Sequence, residues 1–173
     1  MLACRMFRAV FALCLFATAC GGGGGTAIDA SPVDAGPLVD APLSAACLDA
    51  ETHSDLTWIQ ANIFSKQCTF SGCHNGASGD AGKMDLRAGH SFTSLVGVKA
   101  HLCQATSIVT AGHPEQSYMM VMIGQQTPAA QTPPSCAIDP MVGEMPQGNP
   151  TVLLCSQKRD AIERWITAGA LNN

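Results

Sequence analysis

Cys68-Thr69-Phe70-Ser71-Gly72-Cys73-His74 (CTFSGCH) places two thiols and an imidazole within seven residues. Just upstream, Leu56, Ile59 and Ile63 fall at helical spacing between Asp55 and Phe64, and Ser54 is placed to cap the first turn. The motif therefore begins where a helix ends. Downstream, Ser91 to Val98 reads as a shorter helix, and Pro114 to Ile123 as a third, with proline in its first turn and Gly124 just past its end. From Gln125 to Pro150 six prolines forbid regular helix or central strand and predict a long, stiff, functional loop. Ser156 to Gly169 carries Ala161, Ile162, Trp165 and Ile166 on one face and ends at glycine, the strongest helix signal in the chain. The expectation is an all-α domain of short helices and long loops over residues 47–173. Its aromatic stock is small: Trp58, Phe64, Phe70, Phe92, Tyr118 and Trp165. Loop-rich domains with so thin a core commonly lean on disulfides, a metal or a large buried cofactor.

CTFSGCH is a variant of the c-type haem attachment pattern C-x-x-C-H, with four intervening residues in place of two. Each thiol can add to one vinyl group of haem, and a histidine directly after the second anchor is then held beneath the iron. On this reading Cys68 and Cys73 carry one covalent haem c and His74 is the proximal ligand. Chance would produce such a string ~0.01 times in a chain of this composition. Two rival readings stand beside it. Cys68 and Cys73 could form a local disulfide, or the two thiols and His74 could ligate zinc, although no second Cys/His pair of knuckle spacing follows.

Further segments carry a resemblance. Gly143-Glu144-Met145-Pro146-Gln147-Gly148, followed by a helix ending Arg164-Trp165-Ile166-Thr167-Ala168-Gly169-Ala170, resembles the distal half of small bacterial c-type cytochromes, in which a Met-Pro loop precedes a helix ending W-I-x-x-G-A. Val109 to Met119 (VTAGHPEQSYM) is similar to that family's v-x-x-G-x-P-x-x-S-Y-L stretch, with His113 where the family has an acidic residue. Together with the haem motif, the resemblance runs in order from about residue 56 to 170. It implies a small cytochrome c-like fold around one haem, with His74 and Met145 as axial ligands. Pro146 independently biases Met145 toward extended backbone. Met119, Met120, Met122, Met141 and His113 are the competing sixth ligands, the three methionines of the third helix reading rather as adaptable filler of a haem pocket.

The chain has 173 residues, 9 of them cysteine, and a formal net charge of −4. Scattered basic residues give no footprint for nucleic acid. So many cysteines fit an oxidising compartment. Arg5 and Arg8 precede the apolar run Ala9 to Ala19, too short to span a bilayer and shaped as an export signal over residues 1–19. Phe16-Ala17-Thr18-Ala19-Cys20 resembles a bacterial lipoprotein box, with alanine where leucine is usual at 17. That implies lipidation at Cys20 and a place in the cell envelope, anchored to a membrane. Residues 20–46 follow as a disordered Gly/Pro/Asp-rich tether, with a reach of ~25 to 30 Å. Cys47, Cys103, Cys136 and Cys155 make an even set outside the haem motif, so two disulfides are expected; three pairings are open. Cys136 with Cys155 is favoured, closing a loop around Met145, which leaves Cys47 with Cys103.

These readings converge on a monohaem electron carrier serving unidentified redox partner proteins, not an enzyme. The alternative is a non-haem, disulfide-stapled lipoprotein in which CTFSGCH is only a turn. A haem sensor or peroxidase would need a catalytic distal residue that the sequence does not offer.

Overall fold

In the computed structural model, residues 43–70, 73–76, 83–147 and 154–173 are described. The presumed signal, Cys20 and nearly all of the expected tether lie outside them. Helix α1 spans Ala45–Asp49, capped by Ser44, whose hydroxyl accepts the Cys47 N–H. It begins inside the segment expected to be tether, where a Ser cap followed by two alanines is a legible but very short start signal. A 3-10 turn, Ala50–Thr52, leads to α2, Leu56–Ile59. The α2 cap is Asp55 and not Ser54: its carboxylate accepts the Trp58 N–H at 2.7 Å.

The helix then widens. Gln60–Cys68 winds as a π-helix, a rare form that places the motif's first thiol on its last residue. Neither proline nor glycine interrupts the segment, and Ile59, Ile63 and Phe64 stay fully buried, so apolar periodicity alone cannot tell this winding from an α-helix. Helix α3, Ser91–Leu95, is followed by a turn whose strands never lengthen beyond isolated bridges, Val96 with Val109, Lys99 with Ser107 and Ser107 with Ser117. The third expected helix is split into a 3-10 turn, Pro114–Gln116, and α4, Tyr118–Met122. Ser117 breaks it. Its buried hydroxyl accepts the Thr110 N–H at 2.9 Å and donates to the His113 carbonyl at 2.8 Å, a local network that competes with helix.

After α4 the proline-rich segment holds one 3-10 turn, Pro128–Ala130, among its described residues. Helix α5, Ser156–Thr167, is the longest described helix, and Gly169 beyond it adopts φ +100°, where a side chain would be strained. The α5 face of Ile162, Trp165 and Ile166 packs into one core with Leu56 and Ile59 of α2 and Ile63 and Phe64 of the π-helix, and Ala161 is buried beside them in α5. The C-terminus completes this junction: Asn173 accepts the Leu56 N–H through its side chain at 3.0 Å and the Thr57 N–H through its backbone carbonyl at 2.9 Å. The described residues are thus helical without strands, as expected.

Two disulfides tie this frame, with partners other than those favoured from sequence. Cys47 pairs with Cys155 and Cys103 with Cys136. The reason lies in packing: α1 lies against α5 and brings Cys47 to the residue that caps that helix, while Cys136, on the returning proline-rich loop, donates its N–H to the Cys103 sulfur.

Candidate functional site

The motif folds back on the helix that delivers it. Thr69 N–H donates to the Phe64 carbonyl, finishing the π-helix, and His74 N–H donates to the Cys68 carbonyl at 3.0 Å. The first thiol-bearing residue and the imidazole-bearing residue are thereby joined across the turn. Leu86 N–H secures the other edge by donating to the His74 carbonyl at 2.8 Å. Two residues on, Gly76 has φ +74°, and a Cβ there would lie 2.6 Å from the Arg87 guanidinium. The positive φ favours glycine where the chain passes the Asp85–Arg87 pair. The Arg87 guanidinium, bonded to Asp85 at 2.7 Å, holds that carboxyl down to about 2.

A second segment meets the motif from far along the chain. Met145 N–H donates to the Met122 carbonyl at 2.7 Å, hanging the distal turn from the end of α4. Gly124, φ +68°, clears the way: a Cβ there would stand 2.8 Å from the Glu144 carboxylate. Gln147 donates its side-chain amide to the Val142 carbonyl, closing the turn on itself. The result is a cleft of about 60 Å³ lined by Gln67, Cys68, Phe70, Cys73, His74, Met145, Pro146 and Gln147. Residues 68, 73, 74 and 145, singled out in sequence, therefore line one cleft.

The competing ligands lie elsewhere. Met119 and Met120 are buried in the core and do not line this cleft. Met141 is 90% exposed. His113 is exposed and paired with Glu115 at 2.9 Å.

With the other four described cysteines in disulfides, Cys68 and Cys73 are the free thiols of the described residues. Burial pushes the Cys68 thiol up to about 12, reinforced by the neighbouring Cys73 and opposed by Lys158. Lys158 was not singled out from sequence. It continues the α5 stripe one turn before Ile162, a register that sequence does show, but its charge disguised it as surface.

Among the described residues no group of three or more His, Cys, Asp or Glu is arranged to hold a metal ion. Nor is any helix there long and apolar enough to cross a membrane. Comparison with protein families, with characterised proteins and with solved structures finds no match to this chain.

As a haem site the cleft fits in its chemistry: two free thiols, an adjacent histidine and a methionine thioether among the lining residues. In volume it is well below the ~300 Å³ at which small-molecule pockets begin. Phe70, among its lining residues, is 42% exposed.

Proposed function

We propose that this protein is a monohaem c-type cytochrome that carries single electrons in the cell envelope, held to a membrane by a lipid on Cys20. The observation that carries the reading is the meeting of Met145 with Cys68, Cys73 and His74 in one cleft, across a sequence separation that no local turn explains. Cys68 and Cys73 would anchor the group, while His74 and Met145 would face its iron. Bound there, haem supplies a one-electron couple, and a Met ligand shifts its potential upward. The chain's own part is to fix Cys68 on the last residue of the π-helix, hold His74 through the carbonyl of Cys68, and suspend Met145 from α4. Redox partner proteins follow from that role.

The rival, a stapled lipoprotein without haem, draws on the small volume of the cleft. Expression in a host with haem-attachment machinery, then a denaturing gel stained for haem, decides between them. Stained wild type and unstained Cys68→Ala/Cys73→Ala protein is the expected result. Unstained wild type carrying no iron overturns the haem reading, and one bound zinc would replace it with a zinc site.

A further inference from the structure

Lys158 is 7% exposed, the one charged side chain among the buried residues described. Its stem is buried on the α5 face that carries Ile162, one turn further on. Its ammonium donates to the Gln67 side-chain oxygen at 2.7 Å and to the Asn62 carbonyl at 3.2 Å, both on the π-helix and neither an anion. Lys158 is also the third residue of α5, in the turn where the helix dipole disfavours a cation. Burial without a counter-ion among the described residues and an unfavourable dipole both count against it as a stabiliser of the fold. What it gains is position. Gln67, its closest partner, and Cys68, the next residue, both line the cleft.

We infer that Lys158 is a fixed cation seated behind Cys68 that favours the reduced over the oxidised state of the redox group anchored at Cys68 and Cys73. The inference rests on the haem reading above. Its physical basis is Coulombic: reduction adds one electron, taken from a one-electron donor, with no bond made or broken. A positive charge shielded from water stabilises the added negative charge more than an exposed one does. Lys66, whose ammonium reaches the Asn62 side chain from the exposed side of the same helix, is the natural control.

The test is a mediated redox titration of haem-loaded wild type, Lys158→Met, Lys158→Gln and Lys66→Met, with absorption spectra and haem staining on each. Both Lys158 variants should lower the ratio of reduced to oxidised protein about tenfold at fixed ambient potential, about 59 mV for a one-electron couple. Their spectra should keep the wild-type axial ligation, and Lys66→Met should stay within about twofold of wild type. Equal potentials in wild type and both Lys158 variants overturn the inference while leaving the haem reading intact. So does a drop in Lys158→Met that Lys158→Gln does not share, which assigns the effect to the hydrogen bond. Altered ligation, or neither variant yielding stained protein, makes Lys158 structural and overturns it too. Unstained wild type removes both the inference and its foundation.

Discussion

Met145 reaches the cleft because three separate residues permit it: Met122 offers a carbonyl, Gly124 leaves room for Glu144, and Pro146 is buried beside it. The proposed sixth ligand is thus held by its backbone, so replacing the side chain should spare the turn. Met145→Ala is expected to keep covalent haem, lose the weak long-wavelength band of thioether sulfur on ferric haem, and shift the potential downward. Met141→Ala, at a side chain 90% exposed, should leave both unchanged. A band that survives Met145→Ala and disappears on changing Met119, Met120 or Met122 would move the ligand to α4. The candidate donors were legible in sequence because thiols, imidazole and thioether have few alternatives at such spacing. Lys158 was not, since its burial depends on a partner surface, the π-helix, that sequence periodicity does not announce.

At the level of elements, α2 and α5 were legible from their apolar stripes, while α1, begun inside the expected tether, and the widened winding after Ile59 were not. One cap on this unit offers a direct test. The Trp58 N–H, above all, holds the Asp55 carboxyl below the usual carboxylate range, with His53 adding to the effect. A carboxyl whose pKa is lowered on folding stabilises the native state above its unfolded value, and the contribution is lost as pH falls through the lower folded value. Asp55→Ala should therefore cost about 1 kcal/mol at neutral pH. In urea unfolding, the gap between variant and wild type should shrink below pH ~4. A gap that persists unchanged at low pH would show that the carboxylate is not its source. The split of the third helix at Ser117 teaches the same lesson in another form: a buried hydroxyl bonded to two backbone groups overrode a pattern that reads as continuous helix.

For the whole molecule, the even cysteine count made two disulfides legible, but their pairing depended on α1 packing against α5, which no spacing rule encodes. The anchor proposed at Cys20 predicts that Cys20→Ala releases the protein from membranes; sedimentation with membranes and undiminished lipid labelling in that variant would refute it. If the chain is held from its N-terminal side, the Cys47–Cys155 bond acquires a mechanical meaning. A pull applied ahead of Ser44 and resisted at Asn173 passes at Cys47 straight into α5, bypassing the 108-residue span between the two sulfurs, with CTFSGCH and Met145 inside it. In single-molecule stretching between residues 43 and 173, the oxidised protein should extend only through its short ends. Reduction of both disulfides should release roughly 350 to 390 Å of further contour length. The disulfide thus makes the cleft a shielded bight in the load path: tension on the leash need not reach the residues that would grip the iron.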